Sequence, residues 1–128
     1  DDLKRELTPD TILVSIMAVN NEVGLIMPLK EIGELVKYSN AYFHVDDVQG
    51  FGNIEIDVKE MNIDLLSTSA HKVNGPKFLG FLYEKDGLKV SNLLLGGEQE
   101  TKRRPGTENV PGIAGFGIAA QELNEKSN

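Results

Sequence analysis

Apolar residues along this chain fall into runs with two different periods. Ile12-Leu13-Val14-Ser15-Ile16-Met17-Ala18-Val19 is nearly continuous, bounded by Thr8-Pro9-Asp10 and by Asn20-Asn21. Such a run predicts a buried, parallel β-strand. The period then changes. Leu29, Ile32, Leu35 and Val36 recur at helical spacing, while Lys30, Glu31, Glu34 and Lys37 face away. This predicts an amphipathic helix with Pro28 in its first turn. Tyr42-Phe43-His44-Val45 predicts a second strand, and Asp57 to Met61 fits one helical turn. Leu65 to Ser69 predicts a third strand, Phe78 to Tyr83 a fourth and Leu93-Leu94-Leu95 a fifth. Gly96 to Asn109 is polar and glycine-containing, which predicts an exposed loop. A last helix begins near Pro111. Its small residues, among them Gly112, Ala114 and Gly115, permit close packing at some cost in helix propensity.

Strand, helix, strand in the first half implies a right-handed crossover between parallel strands. The expected fold class is therefore α/β, a mainly parallel sheet with flanking helices; strand order does not follow from the pattern. A length of 128 residues fits one compact unit. The first seven residues read as the tail of a helix, and Gln121 to Asn128 still follow a helical pattern. The expectation is a piece of a longer protein.

Composition narrows the partners. A net charge of -7 argues against a broad nucleic-acid or anionic-membrane footprint. With no cysteine, disulfides and thiolate-bound metals are excluded, and two histidines argue against a purely histidine-built metal site; no metal is expected. No apolar stretch is long enough to span a bilayer, and the first residues are charged rather than signal-like. A cytoplasmic protein without membrane or nucleic-acid partners is expected.

Candidate chemistry sits just after the apolar runs. In open α/β sheets, ligands bind beyond the carboxyl ends of the strands. Lys72, just past the third strand, carries an amine that can form an imine with an aldehyde; a solvated lysine is the competing reading. Asp46, directly after the second, can keep a pyridine nitrogen protonated, which makes the ring an electron sink. It can equally be a turn aspartate. Gln49 and Asn21 are uncharged donors suited to a ring oxygen, although Asn20 and Asn21 also suit a turn. Ser69 and His71 flank Lys72 closely and, with backbone N–H groups, can hold a phosphate. His44 lies within a strand and reads as structural; Asp47 reads as exposed.

The ordered segments Asn20-Asn21-Glu22-Val23-Gly24, His44-Val45-Asp46 with Gln49, Ser69-Ala70-His71-Lys72 with Gly75-Pro76-Lys77, and Arg104-Pro105-Gly106-Thr107-Glu108-Asn109 resemble the fold-type I pyridoxal-phosphate enzymes. Within them the pattern resembles the class V aminotransferase superfamily, and more narrowly the cysteine desulfurases of iron–sulfur-cluster assembly. It runs from about Thr11 to Ala120. The resemblance implies pyridoxal 5'-phosphate as cofactor and removal of sulfur from L-cysteine, giving alanine and an enzyme persulfide. It implies Lys72 as the covalent anchor of the cofactor and carrier of the substrate Cα proton, with His71 beside it. Asp46 would pair with the pyridinium, Gln49 and Asn21 would contact the ring-oxygen side, and Ser69 and His71 the phosphate. Thr107 would reach the phosphate bound by a neighbouring subunit, which requires a homodimer. A sulfur-acceptor or scaffold protein is the implied partner.

The sequence departs from that pattern in places. The cysteine nucleophile, the histidine that stacks on the ring, the upstream phosphate-binding threonine loop and the downstream arginine for the substrate carboxylate are not among these residues. Asp47 stands where the family usually has a small residue, and Ala18 where many members carry a larger group. Residues 1–128 are thus expected to be the central part of a cofactor-binding large domain, with an N-terminal segment and a C-terminal small domain outside them. The shared cofactor motifs separate a desulfurase poorly from selenocysteine lyase or another class V aminotransferase. A reading of another class is a non-catalytic α/β interaction domain, with Lys72 on the surface and the basic run Lys102-Arg103-Arg104 in a docking loop.

Overall fold

The computed structural model describes residues 2–126. Asp1, Ser127 and Asn128, which belong to the two helical terminal patterns, lie outside the described residues. Helix α1 spans Asp2–Glu6, strand β1 Leu13–Met17, helix α2 Leu29–Val36, strand β2 Tyr42–Asp46 and strand β3 Leu65–Ser69. A turn of 3-10 helix, Ala70–Val73, follows β3 directly. Strand β4 spans Gly80–Glu84, helix α3 Gln99–Lys102 and helix α4 Val110–Lys126.

The four strands lie in the order β1-β2-β3-β4. β1, β2 and β3 run parallel, and β4 is antiparallel to β3. Leu13 pairs with Tyr42, His44 with Leu65, and Leu66 with Tyr83. Since side chains alternate along a strand, one face carries Val14, Phe43, Val45 and Leu66, all buried. α2 covers it with Leu29, Ile32 and Val36, its helically spaced stripe. The β2–β3 connection adds Ile54, Ile56, Val58 and Met61 to the same core. A smaller cluster joins Ala70 and Val73 of the 3-10 turn to Phe116 of α4. Phe51, Phe81 and Phe116 tie this cluster to β4, with ring centroids 5.6–5.9 Å apart.

The predicted segments form with shifted limits. Pro28 stands at the N-cap of α2, and its carbonyl accepts from Ile32 N at 3.0 Å. Asp57 to Met61 makes its single turn: Met61 N donates to Asp57 O at 2.9 Å, and Asp57 Oδ1 accepts from Lys59 and Glu60 N–H. Asn109 Oδ1 accepts from Gly112 N at 3.1 Å at the start of α4, so the side chain caps that helix. Gly115 of α4 passes the Pro76 ring so closely that a Cβ there would lie 3.0 Å from it.

Four expectations are corrected. The predicted loop of Gly96 to Asn109 carries the four-residue helix α3. Leu93 to Leu95 do not form a strand; they are exposed, and among the described residues no strand pairs with them. β4 begins at Gly80, two residues late, because Phe78 has φ +63°, outside the β region. β1 is buried on one face only. It ends the sheet among the described residues, and Ile12 and Leu13 are exposed.

Candidate active site

Because β1, β2 and β3 are parallel, their carboxyl ends share one rim. The polar segments singled out in the sequence emerge there. Asn20 and Asn21 follow β1, Asp46 ends β2 with Gln49 in the turn beyond, and Ser69 ends β3 with His71 and Lys72 in the 3-10 turn. Backbone bonds zip the strand ends together: Ala18 N donates to Asp46 O and Asp47 N to Ser67 O, both at 2.8 Å.

Two side chains at this rim have capacity to spare. Asp46 Oδ1 accepts from Val48 N at 3.0 Å, so the carboxylate orients by an Asx turn. No hydrogen bond or ion pair among the described residues reaches its Oδ2. Lys72 is exposed, and its Nζ has no such partner either. Ser69 Oγ and His71 Nδ1 lie 2.8 Å apart in a hydrogen bond, which ties hydroxyl and ring together in the segment that carries Lys72. Asn74, at φ +62°, closes the 3-10 turn, and Gly75 N donates to Ala70 O. An amine, an unpaired carboxylate oxygen and a hydroxyl–imidazole pair suit an aldehyde, a ring nitrogen and a phosphate. The donor set fits pyridoxal 5'-phosphate.

The amides divide. Asn20 is the turn residue, its Oδ1 accepting from Glu22 N at 2.9 Å and Val23 N at 3.0 Å. Asn21 stays exposed, with Nδ2 donating to Glu22 Oε1 at 3.0 Å. Gln49 is half-buried, and its backbone O accepts from Asn53. Thr107 lies on the exposed loop between α3 and α4, and no hydrogen bond among the described residues ties it to the rim.

Asp47 is the principal correction at the site. Read as exposed, it is only 3% exposed, because the alternation of β2 runs on past the strand end and turns it to the packed face after Phe43 and Val45. Among the described residues its Oδ1 has no hydrogen-bond partner, nor has Thr68 Oγ1 at the next register position. Burial, and next the adjacent Asp46 charge, push its carboxyl up to about 7. It lines a cavity of about 750 Å³ with Phe51, Ile54, Tyr83 and Leu123. That cavity lies behind the sheet and includes none of the predicted site residues.

His44 was read as structural, and the geometry adds to that. Its Nδ1 lies 2.7 Å from Ser15 Oγ and its Nε2 3.2 Å from Ser67 Oγ. Only the register could reveal this row, since Ser15 and Ser67 are distant in sequence. Burial lowers the imidazole's pKa, and the Asp46 charge offsets part of that.

Comparison with known proteins gives the family. The family model for aminotransferase class-V matches residues 1–127. A putative cysteine desulfurase IscS 1 of Bacillus subtilis is 57% identical across 98% of this chain and 34% of its own length. A mitochondrial cysteine desulfurase of Candida albicans is 49% identical across the whole chain and 27% of its own length. Among solved structures, a NifS-like protein superposes with a TM-score of 0.92 at 42% identity, covering 98% of this chain and 35% of that one. The chain thus spans about a third of the length of the curated relatives it matches. With the family model matching residues 1–127 and the fold superposing on a NifS-like protein, this chain belongs to the class-V aminotransferase family.

Proposed function

We propose that this chain is the central part of the cofactor-binding large domain of a pyridoxal-phosphate-dependent cysteine desulfurase. The observation that carries the reading is the rim itself. The Asp46 Oδ2 at the end of β2 and the Lys72 amine in the turn that follows the adjacent parallel β3 have no hydrogen-bond or ion-pair partner among the described residues. Relatives named cysteine desulfurase at 57% identity support the same reading.

When bound, pyridoxal phosphate supplies an electron sink for the pair of electrons left at the substrate Cα. Lys72 would hold the cofactor through its aldehyde carbon and would move the substrate Cα proton. Asp46 Oδ2 holds the proton on the ring nitrogen. Gln49 and Asn21 donate to the ring oxygen, and the Ser69–His71 pair donates to the phosphate. Thr107 serves the phosphate of a neighbouring subunit in a homodimer. Cleavage of the substrate C–S bond passes sulfur to a cysteine thiolate of the parent protein, leaving L-alanine and a persulfide. That thiolate comes from outside the 128 residues, which contain no cysteine. The persulfide then serves an acceptor or scaffold protein in iron–sulfur-cluster or thio-cofactor biosynthesis. We place the reaction in the cytoplasm; among the described residues, no helix is long and apolar enough to cross a membrane.

The test uses the full-length parent. Incubation with pyridoxal phosphate is expected to give a visible absorbance band, and borohydride to trap an adduct that mass mapping places on Lys72. A Lys72→Ala variant that retains the adduct at another residue contradicts the assignment. The 128-residue chain alone is expected to bind cofactor weakly and to turn over no cysteine; alanine released by it alone refutes that expectation.

A further inference from the structure

One row of side chains crosses the sheet just behind the rim. Ser15 of β1, His44 of β2 and Ser67 of β3 lie on the face opposite the packed core and join through both ring nitrogens of His44, at 2.7 Å and 3.2 Å. His44 and Asp46 are two residues apart on one strand, so their side chains share that face. Ser67 is the register partner of Asp46. The imidazole is therefore held from both sides, at the base of the carboxylate.

We propose that His44, fixed between Ser15 and Ser67, is a positioning residue for Asp46, holding an uncharged ring beneath the carboxylate so that its free oxygen is kept for the cofactor's ring nitrogen. The inference rests on the pyridoxal-phosphate reading above. A hydroxyl can both donate and accept, so two serines satisfy a neutral imidazole in either tautomer. A ring tied at both nitrogens cannot swing up to hydrogen-bond Asp46 Oδ2. Burial of the ring works the same way, disfavouring the imidazolium that would compete with a pyridinium for Asp46. Among the described residues, the register adds only uncharged neighbours and one paired acid to this face, Tyr42 of β2 and Leu82 of β4 being among the former, and the one cation there, Arg103, is held by Glu84. Leu13 and Met17 come from β1 and Leu65 from β3.

The test measures equilibrium affinity of the full-length apoprotein for pyridoxal phosphate, together with the visible spectrum of the complex and the melting temperature of the apo form. His44→Ala is expected to raise the dissociation constant about tenfold, in keeping with two lost hydrogen bonds near a charged group, and to shift the absorbance band. His44→Gln, whose amide offers both a donor and an acceptor, is expected to restore most of the affinity and the wild-type band. Should His44→Ala fail to fold, the double variant Ser15→Ala/Ser67→Ala keeps the ring, frees it, and is expected to weaken binding several-fold. Unchanged affinity and spectrum in these variants, with only the melting temperature lowered, overturns the proposal while leaving the Lys72 adduct intact. His44→Gln no better than His44→Ala overturns it too. A wild-type protein that forms no adduct removes both this inference and the reading on which it rests.

Discussion

Asp46 and Asp47 are the same residue type at successive positions, and the sheet sends them to opposite faces. Asp46 shares its face with the polar row Ser15, His44 and Ser67, keeps one free oxygen and stands at the rim. Asp47 shares its face with Phe43 and Val45, is buried, and has an oxygen with no hydrogen-bond partner among the described residues. The face therefore decides what a carboxylate can do. On the polar side a charge is available for binding; on the packed side the same charge opposes folding.

That contrast can be broken most forcefully from the packed side. Phe43 is fully buried among residues of the main core, so Phe43→Ala is expected to cost about 3–5 kcal/mol, read by urea denaturation. A loss below 1 kcal/mol means this face is not the core.

Asp47 gives the next effect, through pH. Its folded carboxyl titrates near 7 rather than 3.8, so between those values the folded state holds a proton that the unfolded state has released. Stability is then expected to fall as pH rises from about 4 to about 7, by on the order of 2–4 kcal/mol. Asp47→Asn should abolish that slope and be the more stable protein at pH 8. Equal slopes in the two proteins would show that Asp47 is not held protonated. His44 acts with the opposite sign. Its folded pKa lies below 6.5, so its contribution is present at higher pH and is lost as pH falls below that value. The two faces thus oppose each other in acid.

Gly33 tests how closely α2 lies on its neighbours. A Cβ there would fall 1.9 Å from the Met61 carbonyl oxygen. Gly33→Ala is expected to cost about 1–3 kcal/mol of stability, because backbone must move. The smallest effect belongs to the polar face. Ser15→Ala removes one hydrogen bond at an exposed serine and should cost under about 1 kcal/mol in thermal unfolding. A loss equal to that of Phe43→Ala would erase the distinction between the faces.

The sequence alone determined most of the element types, the α/β class and which segments end at one rim. Lys72, Asp46 and Ser69 were legible because each follows an apolar run, and parallel strands bring their carboxyl ends together. The order of the motifs carried the family. Those properties are local or depend only on order along the chain. Tertiary structure decided what depends on neighbours from distant segments. Asp47 read as a surface residue because polarity outweighs position in a sequence, yet alternation past the strand end buried it. Leu93 to Leu95 read as a strand because they are apolar, but a strand forms only where another strand can bond to it. The row through His44 could not be read at all. It exists because the register sets Ser15 and Ser67 on either side of one imidazole, and register is a property of the packed sheet.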